Sequence, residues 1–379
     1  MNNRRWLRPW VVVLALALVY VVLTLARYDG DPMMFVLPGT RYSQGDPEGT
    51  SGYDGQFAYF IARAPLNGWR YCDAPSYRYQ RILYPILAWI LALGQPGIVP
   101  WTLIVINVAA LAGGTYFTER LLAAHHVSRW YALAYGLYGG LIAGLRLDLT
   151  EPLAYGLVQA GLWAWKQRSR VTGGERRMVI GHWSLIVPMA LAALTKETAL
   201  LATAGLLLYL ALARRWREVL TMGLAVGLPF AIWQVVLRVW LGEWGIGSGG
   251  DMATPFEVIP FAGLARVAAT SLPAFRLLLA IEGPLFVLPT VWALYTSARD
   301  LARGLAHPWV TVLLVQAAAL PFLPFSTWRE PLAMARLAAG LISATLLYGA
   351  LRRSQRVLNY SVLWLATLAL LVNESALPI

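Results

Sequence analysis

The chain has 379 residues, 58% of them hydrophobic and 13% charged, with a mean hydropathy of +0.56. That is too apolar for a water-soluble domain of this length and too poor in charge for a disordered one, so the expected solvent is the bilayer. The single cysteine, Cys72, excludes an intrachain disulfide and a Cys-rich metal site, and the net charge of +12 reads as basic cytoplasmic loops rather than a nucleic-acid surface.

The chain opens MNNRRWLRPW ahead of an apolar run, as a signal peptide does. No small-residue cleavage site follows Val11–Ala26; Arg27, Tyr28 and Asp29 come instead, so a retained first span is expected. Taking about 20 apolar residues per crossing, the candidate spans are 9–27, 98–119, 130–146, 152–166, 182–195, 197–213, 217–240, 275–298, 308–325, 331–350 and 357–373. The expectation is an all-α integral membrane protein of about eleven spans, with 1–379 as one domain. The segment 82–93, ILYPILAWILAL, is apolar but short and contains Pro85. It is expected to lie at the interface.

Charge supports that placement. If 82–93 does not cross, the inner loops hold Arg4, Arg5, Arg8, Arg120, Arg129, Lys166, Arg168, Arg170, Arg176, Arg177, Arg214, Arg215, Arg217, Arg299, Arg303, Arg352, Arg353 and Arg356. Only Glu119, Glu175, Glu218 and Asp300 stand against them. Most acids then face outward, Asp251 and Glu374 among them. The N-terminus is cytoplasmic, and residues 28–97 form a first outer loop with interfacial segments. A second sizeable outer loop, 241–274, opens GEWGIGSGG and continues FEVIPFAGLARVAA, a candidate amphipathic helix.

Four outward constellations can carry chemistry. In GYDGQFAYFIARA, Asp54 sits at a turn into a short helix. It either caps that helix or serves as a general base. Tyr53, Phe57, Tyr59, Phe60 and Trp69 are candidate sugar contacts, or members of the interfacial aromatic belt, and Gln56 is a further candidate substrate ligand. In RLDLTEPLA, Asp148 and Glu151 either favour a helix start or bind a sugar or a divalent cation (Mg or Mn) together with Asp54. In TKETAL, Lys196 and Glu197 lie between two apolar runs. They mark a site, or an outer turn whose lysine snorkels. In STWREPLAMAR, Arg329 and Glu330 precede Arg336, which lies inside an apolar run and needs an anionic partner. Arg78 and Arg81, at the end of the first loop, are candidate phosphate ligands. Glu282 falls within a span and Asp73 within the first loop, both without an assigned role. No GxxxxGK[ST] loop, strand-based dinucleotide fingerprint or GxSxG elbow occurs.

The layout resembles the GT-C glycosyltransferases, polytopic enzymes that use polyprenyl-phosphate sugars at the outer membrane face. The phrases GYDGQFAYFIARAP, YRYQRILYP, DLTEPLA, TKET and REPLAMAR are similar to a bacterial subgroup described as cell-surface glycopolymer or mannosyltransferase-like proteins. The resemblance implies a multi-pass plasma-membrane enzyme with an outward active site, Asp54 as catalytic acid-base residue, and Asp148 or Glu151 as the later acid. The implied donor is a polyprenyl-phosphate sugar and the implied acceptor a glycan, lipid or protein. Asp54 is followed by Gly55 rather than by a second acid, a departure that leaves metal dependence open. A flippase for lipid-linked saccharides would share the outward acids but usually shows repeated halves, and no internal repeat is found. A polysaccharide polymerase or ligase would use outer arginines with a larger central loop.

Overall fold

The computed structural model describes residues 7–168, 178–250 and 252–371, with side chains from 183 onward in the second stretch. Arg4, Arg5, Arg170, Glu175, Arg176, Arg177, Asp251 and Glu374 lie outside the described residues. Every regular element among the described residues is a helix, as the apolar composition leads one to expect. An isolated bridge, Pro38 to Gly52, ties the two ends of one first-loop turn together.

Among the described residues four helices are long and apolar enough to cross a membrane: Pro9–Arg27, Val99–Ala124, Trp216–Leu241 and Leu272–Ala302. A fifth crossing results if Pro331–Leu337 and Ala339–Leu351, bent by 50°, count as one. The expected runs at 182–195, 197–213 and 308–325 appear as shorter apolar helices. The run 130–146 is divided into Arg129–Ala132, Leu133–Gly136 and Gly139–Arg146. Packing explains that break. A Cβ on Gly139 would lie 2.4 Å from the Thr367 carbonyl oxygen, and one on Gly140 2.4 Å from that of Ala335. The chain bends there so that its backbone can touch two other segments. The expected span 357–373 is likewise a helix, Gln355–Ser361, followed by a 3-10 stretch, Val362–Leu371.

Long-range packing follows the apolar faces. Val99–Ala124 lies against Pro9–Arg27 and Glu151–Arg168, and the last of these lies against Met178–Thr195. Leu200–Leu212 packs on Pro308–Ala319, which also touches Leu288–Ala302 and Ala339–Leu351. Residues 339–350 are buried on every side. A helix this uniformly apolar has no polar face to offer water and takes the middle of the bundle.

The first loop is built from short helices: Met33–Val36, Thr40–Ser43, Gly55–Arg63, a 3-10 turn at Gly68–Tyr71, and Pro75–Tyr79. Next comes Leu83–Leu91, nine residues long and too short to cross a bilayer. Its Tyr84 and Ala88 are buried, while Trp89, Ile90 and Leu91 are exposed. That two-sided pattern fits the interfacial reading of 82–93. Within 241–274 the expected amphipathic segment forms the helix Ala262–Thr270. Ser271 then caps the long helix that follows, accepting from the Ala274 N–H at 3.3 Å. Glu282 lies inside that helix, fully buried, with neither carboxylate oxygen hydrogen-bonded, and a π-helical turn, Gly283–Val287, begins beside it.

The two ends of the bundle differ. Glu151 opens its helix and Trp163 stands near the other end, about 18 Å away at 1.5 Å per residue. Asp54, Asp148 and Arg336 share a cavity at the Glu151 end, while Arg8, Glu119 and Arg129 share one with Trp163.

Candidate active site

Gly55 fixes where Asp54 stands. A Cβ at position 55 would come 1.9 Å from the Leu147 carbonyl oxygen and 3.3 Å from Cβ of Asp148. Only glycine lets the start of the helix Gly55–Arg63 press onto the turn Leu147–Thr150, which brings two sequence-distant acids together. The Asp54 side chain does not cap its helix. It points instead to two arginines. Oδ1 accepts from Arg78 Nη1 at 3.0 Å, and Oδ2 accepts from both Nη1 and Nη2 of Arg336 at 3.1 Å. The capping alternative is therefore not the one adopted.

Each arginine is braced from behind. Asp73, without a role in the sequence reading, receives Arg78 Nε and Nη2 at 2.7 Å each, a bidentate clamp. The Phe57 ring lies under the same guanidinium, 4.0 Å from its centroid. Arg336 Nε donates to Glu151 Oε1 at 2.7 Å, and Lys196 Nζ donates to the same oxygen at 2.8 Å. Lys196 is 2% exposed, so it does not snorkel to the interface. Arg81 donates to Glu197 through Nε at 3.0 Å and Nη2 at 2.7 Å, and to the Tyr77 hydroxyl at 2.7 Å. Asp54, Asp73 and Glu151 thus join Arg78, Lys196 and Arg336 in one connected network, and the Arg81–Glu197 pair stands apart from it, so that four carboxylates balance four cations. Tyr53 extends it, donating to Glu330 Oε1 at 3.1 Å and lying 3.4 Å from Arg336 Nη1.

Not every sequence candidate reaches the cavity. Gln56 is buried, but its amide oxygen accepts from the Gly39 N–H at 2.9 Å and its amide nitrogen donates to the Ser51 carbonyl at 2.7 Å. It pins the first-loop backbone and does not line the cavity. Arg329 rests on the Phe325 ring, 5.6 Å from its centroid, and does not line the cavity. Glu330 joins only through Tyr53. Asp148 does line it, fully buried, with neither carboxylate oxygen hydrogen-bonded among the described residues. Its φ of 49° is the left-handed region, which Asp tolerates better than most residues.

The donor set fits guanidinium better than a divalent cation. Arg336 fills the space between Asp54 and Glu151, and a metal there would have to displace it. Among the described residues no three His, Cys, Asp or Glu side chains are grouped to hold one.

The cavity has a volume of about 30 Å³, room for a water or two. Asp54, Arg78, Arg81, Asp148 and Arg336 line one part of it, and Phe57, Ala58, Ile61 and Pro85 the other. A carboxylate one-third exposed at 34% thus meets an apolar wall made by the two short helices of the first loop.

Electrostatics sets the charge states. Burial pushes the Asp54 carboxyl up, but Arg78, Arg336 and Arg81 outweigh it and hold the group well below the usual carboxylate range. A group depressed by folding adds stability above its unfolded pKa and loses it as the pH falls towards the folded value. Wild-type protein should therefore lose thermal stability as the pH drops below about 4. Asp54→Asn should flatten that acid limb, measured as unfolding midpoints in detergent across the pH range. An unchanged limb would mean that the arginines do not hold Asp54 charged. For Asp148 the direction is opposite: burial alone pushes its carboxyl up.

Compared with known proteins, the chain matches no family, no curated protein and no solved structure.

Proposed function

We propose that this protein is a membrane glycosyltransferase of the GT-C type. It transfers a sugar from a polyprenyl-phosphate donor to an acceptor hydroxyl at the outer face, with about eleven crossings and a cytoplasmic N-terminus. The observation that carries the reading is Asp54, a partly exposed carboxylate at a helix start, gripped by arginines from two distant segments beside an apolar wall. A phosphate needs the guanidinium groups, an isoprenoid needs the apolar wall, and an attacking hydroxyl needs the carboxylate.

The chemistry is a direct displacement. The acceptor oxygen forms a bond to the anomeric carbon, and the bond from that carbon to the phosphate oxygen breaks. The departing polyprenyl phosphate keeps the electron pair, Asp54 takes the hydroxyl proton, and the anomeric configuration inverts. Arg78 and Arg336, with Arg81 and Lys196 behind them, offset the charge that grows on the leaving phosphate. Both front arginines bond Asp54. A phosphate that draws them away also removes the charge that depresses the proton affinity of Asp54. Donor binding thereby readies the base.

The test is transfer of labelled sugar in detergent from a panel of synthetic polyprenyl-phosphate hexoses and pentoses, with a cell-envelope fraction as acceptor. Label moving to acceptor, with matching release of polyprenyl phosphate, is the expected result. Translocation of intact donor across proteoliposomes, with no label transferred, would replace the enzyme by a lipid-saccharide flippase.

A further inference from the structure

A second cavity lies at the opposite end of the bundle, independent of the Asp54 network. Its volume is about 210 Å³, against about 30 Å³ for the first. Four segments converge on it. Arg8 precedes the first helix, Glu119 and Arg120 end the helix Val99–Ala124, Arg129 opens the turn Arg129–Ala132, and Trp163 comes from the helix Glu151–Arg168.

The charged groups here are poised rather than spent. Arg8 and Arg129 stand 3.7 and 3.8 Å from Glu119 Oε1, too far for direct hydrogen bonds. Arg120 is held by rings, 5.3 Å from the Trp163 centroid and 5.9 Å from that of Tyr116. Glu119 is 1% exposed, and its Oε2 has no hydrogen-bond partner among the described residues. The cluster thus offers three guanidinium groups to an anion and one buried carboxyl oxygen to a donor. Leu7, next to Arg8 in the chain, and Trp130, next to Arg129, are exposed, apolar surface suited to acyl chains.

We propose that this cavity binds a phosphodiester carrying a hydroxyl, as in the phosphatidylglycerol headgroup. The phosphate takes the three arginines, the headgroup hydroxyl donates to Glu119 Oε2, and the acyl chains lie along Leu7 and Trp130. A free phosphate ester shares the polar chemistry but has no use for the apolar surface. A hydrogen-bond donor beyond the phosphate would satisfy Glu119 Oε2, which has no partner among the described residues.

The test is retention of added lipid by the delipidated full chain, read by native mass spectrometry. The probes are phosphatidylglycerol, phosphatidylmethanol (same charge, no hydroxyl), phosphatidylcholine and soluble glycerol 3-phosphate. Phosphatidylglycerol should be retained at least about tenfold better than phosphatidylcholine, as expected for charge-assisted bonds, and better than phosphatidylmethanol. Arg8→Gln/Arg129→Gln should remove the preference. Ala124→Trp should do the same by filling the cavity, since Ala124 lines it, without changing any charge. Equal retention of phosphatidylglycerol and phosphatidylcholine, or a preference that survives both variants, overturns the site. Equal retention of phosphatidylmethanol overturns the Glu119 contact, and glycerol 3-phosphate binding as tightly as the lipid overturns the membrane source.

Discussion

Asp54→Asn is expected to lower sugar transfer by about 10² to 10⁴, the usual contribution of a positioned general base, while the protein still inserts and folds. Asparagine keeps the size and one of the two acceptor oxygens, so it can still accept from one of the two arginines, and Gly55 still lets the first-loop helix sit on the Leu147–Thr150 turn. What it loses is the capacity to take a proton. Donor binding should survive, because the arginines that meet the phosphate remain. The combination to look for is a collapse in kcat with the donor KM nearly unchanged. Asp54→Glu moves the carboxylate by one methylene and should recover only part of the rate, since base and hydroxyl must lie within hydrogen-bond reach. Transfer by Asp54→Asn at the wild-type rate would remove Asp54 from the chemistry. Asp148, buried, unpaired and lining the same cavity, would then be the next acid to substitute.

The helical class and the importance of the first loop were legible because both rest on composition and charge. Length alone could separate Leu83–Leu91 from a crossing helix. Length could not foresee the breaks at Gly139 and Gly140, because they answer to Thr367 and Ala335, more than 190 positions away. At the site, Arg336 stood out since an arginine in an apolar run needs an anion; its partners Glu151 and Asp54 do not follow from local pattern. Asp73 lies five residues before Arg78 with Pro75 between, a spacing with no helical meaning, so its clamp on the arginine went unread. The backbone contacts of Gln56 went unread for a related reason. A polar side chain beside a candidate base looks like a ligand until the Gly39 and Ser51 backbone groups it satisfies are known.

Glu151→Gln should be the most damaging substitution for stability, at about 3 to 5 kcal/mol, because it leaves buried cations without their counter-charge. Glu151 is fully buried, and one of its oxygens receives both Lys196 Nζ and Arg336 Nε. Arg336 keeps Asp54 as a second partner, but Lys196 at 2% exposure has no other carboxylate in bonding distance among the described residues. The uncompensated charge is therefore chiefly that of Lys196. Adding Lys196→Met to Glu151→Gln should restore part of the lost stability, the non-additivity expected of groups in one network. It should not restore transfer, since the Arg336 Nε bond would go to a neutral amide and not to the charged carboxylate that holds it beside Asp54. Unfolding midpoints and transfer rates of the two single variants and the double variant separate these effects. A Glu151→Gln loss below about 1 kcal/mol, the range of solvent-exposed pairs, would show that Lys196 reaches water and that the pair is not sealed within the bundle.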